Sequence, residues 1–352
     1  MVDWTKSMQR TYEYYVVDPA TWKDKTKIDT ITNATINRNS EAETLGSATF
    51  NCTQNLGECY IRAYLITIQN GLTEKHPLGT FLVQTPSLMF NGRIASFSLD
   101  AYTPLIELKE NPPPIGYSIL KGENIMERAY QIIREHARAP VVRTYSDKTL
   151  DGDFVSNTDD TWTTFTNDLV YNDKKELGLD EIGRIIFVAE QDIASLQPVW
   201  TYRDDNSSIL QPDITYEQDL YKVPNVVEVT YSSGKDTYFA RVVNDDSNSP
   251  TSTINRGREI LHREVNPQIG GIATEKQIKE YAVQLLKQKS TVVCSISYMH
   301  GYCPVRLGDC IRLDYNRADL RNIKAKVVSQ SIPCTPECQV TEKAIFTQKL
   351  WG

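Results

Sequence analysis

The chain has 352 residues, of which 40% are hydrophobic and 24% charged, with a formal net charge of −7. That length holds about two domains with proper cores, and the abundance of Tyr and Thr favours strands over helices. The acidic balance, with no basic stripe in any window, excludes a protein that coats nucleic acid, because phosphate neutralisation needs clustered Lys and Arg.

The N-terminal stretch MVDWTKSMQRTYEYY is polar and aromatic without a period and lacks the charged-then-apolar pattern of a signal peptide. Residues 1–26 therefore read as an arm or an early edge strand. From Lys27 the pattern turns to strands: KIDTITNATINR places Ile28, Thr30, Thr32, Ala34 and Ile36 on one face. SATFNC, YIRAYLITIQ, GTFLVQTPSLMF and ASFSLDAY follow, with Gly at the corners, as expected of a small antiparallel barrel over residues 27–111.

Pro112, Pro113 and Pro114 remove three backbone donors in a row and mark an expected domain boundary. Beyond them NIMERAYQIIREHARAP reads as an amphipathic helix with Ile125, Ala129, Ile132, Ile133 and Ala137 on its apolar stripe. Residues 144–175, rich in Asp, Asn and Thr, read as long loops. A brief helical piece near Lys174 to Ile182 and two turn-linked strands, RIIFVAE and LQPVWTY, complete an expected α+β insert over 112–202. Strands resume at NVVEVTYSS and TYFARVVND. Thr274 and Gln277 form a capping box opening a helix over 274–289, with Ile278, Ala282, Leu285 and Leu286 inward. TVVCSISYM, DCIRLDY, NIKAKVVSQSI and VTEKAIFTQKLW then complete a second expected barrel, over 203–352, with that helix packed on it. The expected fold class is mainly β: two small antiparallel barrels plus the α+β insert.

Two segments nearly repeat: CTQNLGECYIR from Cys52 and CPVRLGDCIR from Cys303. A tight turn at Gly308-Asp309 sets Cys310 opposite Leu307 and Cys303 opposite Asp314, so neither hairpin alone makes a disulfide. What repeats is Leu-Gly-acid followed by an Ile-Arg strand, which is turn chemistry. Seven cysteines without an export signal imply reduced thiols. Cys303, Cys310, Cys334 and Cys338 offer four thiolates for a zinc ion or an iron–sulfur cluster, but structural zinc sites favour CxxC-like knuckles and one spacing here is six residues wide; small buried hydrophobes are the alternative. His76, His136, His262 and His300 share no motif, and no HExxH, GxSxG or GxxxxGK[ST] occurs. His136 falls in the last turn of its helix, where an imidazolium suits the dipole. The acidic pairs Asp151/Asp153, Asp159/Asp160, Asp204/Asp205 and Asp245/Asp246 lack EF-hand spacing and read as solvated loops. No catalytic, cofactor-binding or metal-binding residues are assigned.

PNVVEVTYSS…YFARVVNDDSNSPTSTINRGR, then a helix, then YMHGYCPVRLGDCIRLDY, resembles baseplate or tail-tip hub proteins of long-tailed bacteriophages. HPLGTFLVQTPS…SLDAYTPLIEL resembles the opening barrel of the same family, so the likeness spans about residues 27–346. It implies a non-enzymatic protein whose three copies form a ring, each giving two tube-like barrels to a six-fold tail tube. The near-repeated turns then mark one corner used twice in a duplicated fold. Implied partners are the tail tube or distal tail protein, a tip, fibre or spike protein, and a tape-measure protein. The implied location is the virion, after assembly in the host cytoplasm, without a membrane span, a cofactor or sequence-specific nucleic-acid binding. Two other classes stay open: a hub-associated cell-wall hydrolase, and a carbohydrate-binding protein with Trp162 and Trp200 as stacking platforms.

Overall fold

The computed structural model describes residues 2–232, 236–267 and 274–352. The chain opens with β1 (Gln9–Asp18), β2 (Lys23–Lys27), β3 (Ile31–Asn39), β4 (Gly46–Cys52), β5 (Tyr60–Gln69), β6 (Leu72–Phe90) and β7 (Ala95–Tyr102). A largely α+β stretch follows: α1 (Ile106–Lys109), β8 (Ser118–Ile119), α2 (Ile125–His136), β9 (Phe154–Val155), α3 (Trp162–Tyr171), β10 (Lys175–Leu179) and β11 (Ile185–Ala189). Next come β12 (Trp200–Arg203), β13 (Leu210–Gln218), β14 (Val226–Ser232), β15 (Thr237–Val243), α4 (Thr253–Arg256), β16 (Leu261–Val265) and α5 (Glu275–Lys289). The chain closes with β17 (Thr291–Gly301), β18 (Cys310–Tyr315), β19 (Leu320–Pro333) and β20 (Gln339–Lys349).

The structure is mainly β, and its organisation is a repeat of strand order. Among the described residues, one sheet of thirteen strands contains the run β3-β4-β7-β6-β5-β1 and the run β13-β17-β20-β19-β18-β12. In each, the second strand leaves through the Cys-x3-Leu-Gly-acid-Cys loop, three strands form a meander, and the last of them returns to pair with the second. Gly57 (φ +65°) and Gly308 (φ +84°) hold the left-handed position of the two loops, a conformation that costs glycine little because it has no Cβ. The repeat differs at its rim, where β1 pairs antiparallel with β5 but β12 pairs parallel with β18. The two sets join through β19. Cys310–Leu313 and Tyr315 of β18 pair with the first half of β19, and Ser329–Pro333 pair with Thr35–Asn39 of β3.

The compact units are residues 1–214 with 297–344, and residues 215–296 with 345–352. This departs from the expected boundaries in three places. Residues 1–26 are not an arm: β1 pairs with β5 from Gln9↔Ile68 to Val17↔Tyr60. The period is hidden because a bulge between Val16 and Val17 shifts the register against β2 and leaves Tyr14 and Val17 as the buried pair.

The prolines do not separate the 112–202 segment from the first strands. Ile125, Met126, Ala129, Ile132 and Ile133 of α2 belong to one buried cluster with Val17, Trp22, Tyr60 and Leu82. The Ile182 carbonyl accepts from Trp22 Nε1 (2.9 Å), Arg62 Nη2 (3.1 Å) and Thr80 Oγ1 (2.8 Å), so three side chains of the β1–β6 region hold the loop between β10 and β11. Arg62, 3% exposed, also bonds Asp24 Oδ1 and Thr80 Oγ1. It is the arginine of the first repeated Ile-Arg motif, and here it serves as a buried anchor.

The 203–352 segment is not one barrel. β14, β15 and β16 form their own three-stranded sheet, and α5 packs Ile278, Ala282, Leu285 and Leu286 against Val227, Val229 and Ala240. The Thr274–Gln277 capping box is present in full.

Within 112–202 the local reading also shifts. The stretch assigned to loops contains α3, capped by Thr161 and held by Trp162, Phe165, Leu169 and Val170 on one buried face. The expected helical piece at 174–182 is mostly β10, and β10 is the partner of β11. The Trp200–Arg203 strand goes instead to β18. α2 is as expected, with Asn124 Oδ1 accepting from Glu127 N at 2.9 Å.

Candidate functional site

The densest polar chemistry lies inside the first unit, where Tyr202, Tyr298, His300, Cys303, Gln330 and Glu342 converge. Period-two alternation on β17 carries Tyr298 and His300 inward, and on β20 it carries Val340, Glu342 and Ala344 inward. That alternation was the signal available for His300 and Glu342, which no motif marks.

His300 Nδ1 donates to the Gly301 carbonyl at 2.8 Å, while Nε2 sits 3.2 Å from Tyr202 Oη and 3.5 Å from Glu342 Oε2. Glu342 Oε1 accepts from the Tyr298 and Tyr202 hydroxyls, and Oε2 accepts from Gln330 Nε2 at 2.6 Å. Burial alone would lower the imidazole pKa, but hydrogen bonds to Cys303 and Glu342 outweigh it and raise it to about 10. Burial opposes ionisation of Glu342, yet its bonds to His300, Tyr298 and Gln330 hold its pKa below the ordinary value. The result is an imidazolium–carboxylate pair with His300 0% and Glu342 1% exposed. The cluster's chemistry is cohesive: Gln330 also bonds the Val305 carbonyl and accepts from Arg38 Nη1, tying β20 and β19 to β3.

The four C-terminal cysteines do not converge. Cys303 Sγ is 3.4 Å from Tyr202 Oη, and Cys310 opens β18. Cys334 and Cys338 lie in the β19–β20 turn, near the Tyr14 and Tyr12 hydroxyls respectively. Burial pushes the Cys334 thiol up to about 12 and raises Cys310 and Cys338 as well, so all three are neutral thiols at pH 7. Among the described residues, no three His, Cys, Asp or Glu side chains gather as metal ligands.

Most acidic pairs have turn duties. Asp153 accepts from Lys121 N, Asp160 from Asn157 N, Asp205 from Ser207 N and Asp246 from Asn248 N; Asp204 pairs with Arg317. Trp162, one of the two suggested stacking platforms, is buried and stacks on His136 at 4.3 Å. Trp200 is half-buried on β12.

The exposed surface is more informative. Leu88, Met89, Phe90 and Ile94 are 62%, 72%, 64% and 64% exposed at the end of the β6–β7 hairpin. β2, KDKTK, is a short exposed edge carrying three lysines, the usual guard against unwanted strand pairing. No helix among the described residues is long and apolar enough to cross a membrane.

No protein-family model matches the sequence, and no curated protein matches it. Solved structures do. The chain is similar to the tail protein from Neisseria meningitidis MC58, with a TM-score of 0.62, 11% identity and 96% of each chain covered. It is also similar to the 43 kDa tail protein of prophage MuSo2 from Shewanella oneidensis, with a TM-score of 0.58, 11% identity, and 95% and 98% of the two chains covered. A chain of the Francisella PdpA–VgrG complex gives a TM-score of 0.55 at 10% identity, with 98% of this chain matched to 53% of that one.

Proposed function

We infer that this chain, which has the fold of phage tail proteins over nearly its whole length, is a structural hub of a phage tail. The observation that carries the reading is the repeated strand order: one chain supplies two similar strand sets, so three chains in a closed ring supply six. Such a ring matches a hexameric tail tube on one side and a three-fold tip, fibre or spike on the other. The partners under this reading are two further copies, the tube or distal tail protein, and the tip assembly, with the tape-measure protein as another neighbour. The location is the virion, with assembly in the host cytoplasm.

The reading assigns no catalysis. Its support is the buried polar core, where the groups best suited to acid–base work are spent on holding β3, β17, β19 and β20 together. The net charge of −7 suits a ring through which DNA passes, since it does not grip phosphate. Electron microscopy of the purified protein, alone and with its tail neighbours, tests this. Three-chain rings with six similar peripheral units support the hub, whereas particles of another copy number contradict it.

A further inference from the structure

We propose that the ring closes by strand pairing between the open edge of β6, Thr85–Phe90, and residues 210–214 of β13 in the next copy. This rests on the ring reading and names its contact. Inside one chain, the two strand sets meet where β19 pairs with β3. That pairing begins at Ser329, three residues past Lys326, the last residue of β19 paired with β18. β6 is the counterpart of β19 in the first set. Its last residue paired with β5 is Leu82, and three residues further on is Thr85. From Thr85 to Phe90 β6 has β7 on one edge and, among the described residues, no strand on the other.

β13 is the counterpart of β3, and where β3 lies between β4 and β19, β13 ends the sheet beside β17 alone. Each open edge is therefore what the other lacks, and within the chain they do not pair. The junction already made once in each chain, made again between chains, gives six equivalent junctions in a trimer.

The side chains agree. Leu88 and Phe90 on one face of the strand, and Met89 on the other, are all more than 60% exposed on the segment that the pairing would order, an apolar display that marks an interaction surface. Pro86 and Pro212 each take one donor out of the facing edges. This keeps them from pairing indiscriminately and leaves the contact to the remaining donors and the apolar side chains.

The test uses the full chain. Sedimentation velocity of the wild type is compared with Leu88→Lys/Phe90→Lys, whose sites are exposed, so an unchanged melting temperature certifies the fold. Ser87→Cys, the counterpart of Ser331, is combined in turn with Gln211→Cys and Asp213→Cys, with Ser87→Cys alone as the background for native thiols. The expected results are a wild-type trimer, a dissociation midpoint raised about tenfold or more by the lysines, and an oxidised covalent trimer from one of the two double-cysteine variants. A trimer that survives the lysines and forms no such disulfide overturns the pairing but leaves the ring standing. A wild type that stays monomeric at every soluble concentration overturns both.

Discussion

Ser331 of β19 donates its hydroxyl to Asn37 Oδ1 of β3 at 2.7 Å, at the centre of the five residue pairs that join the two strand sets. The pair is 294 residues apart in sequence. One step along, Arg38 and Gln330 face each other, and Gln330 passes the connection on to Glu342. The junction is therefore a strand ladder backed by a buried polar network.

Removing the centre of that network is expected to be costly. Glu342→Gln leaves His300 without its counter-charge and should destabilise the first unit by about 3–5 kcal/mol, as breaking a buried ion pair does. Chemical denaturation of the wild type and variant measures it. A change below about 1 kcal/mol, the range of exposed pairs, would mean the pair is solvated.

The same pair sets a pH dependence. His300 has its pKa raised from 6.5 to about 10 in the folded state, so its contribution is complete below 6.5 and is lost as pH climbs through about 10. Glu342 has its pKa lowered from 4.5, so its contribution is present above 4.5 and is lost as pH falls through the depressed value. Melting temperature is expected to decline between pH 6.5 and 10 in the wild type, and this His300-linked decline should disappear in Glu342→Gln. Parallel curves for the two proteins would refute the pairing.

The repeated turns offer a matched experiment. Nothing lies within 4 Å of a Cβ built on Gly57 or Gly308, so alanine meets no clash at either, only the positive φ. Gly57→Ala and Gly308→Ala should each cost about 1–2 kcal/mol, the penalty for an L-residue in the left-handed region. Equal losses would fit one corner used twice. A neutral substitution at one site alone would show that the two loops are held differently.

Legibility in the sequence followed the range of the forces. α2 and α5 were readable because cap, apolar stripe and stop all lie within a few turns of each other. β3 was readable from Ala34 and Ile36. α3 was not, because its Thr-rich sequence has poor helix propensity and its order comes from Trp162 and Phe165 packing into a core built from distant segments. β1 was obscured by its bulge. The near-repeat of Leu56-Gly57-Glu58 and Leu307-Gly308-Asp309 pointed to a shared corner, but the choice of β19 as the partner of β3 has no local signature. His300 and Glu342 lie on inward positions of alternating strands, a placement that carries no motif.

The cap of α3 checks that account. Thr161 accepts from Thr164 N, and Thr161 N bonds Thr164 Oγ1, so the capping box supplies order that propensity does not. Thr161→Ala is expected to cost about 1 kcal/mol in a denaturant titration. A loss indistinguishable from zero would place the whole stability of α3 in its packed face.

The central claim is that one chain contributes two of six similar strand sets to a tail ring. Cryo-electron microscopy of the purified assembly tests this most directly. The account predicts three chains of 40.0 kDa in a ring whose strand layer looks six-fold at low resolution and three-fold once side chains are distinguished. A ring of six chains, or a particle in which the β3–β7 and β17–β20 sets occupy unrelated positions, would contradict it.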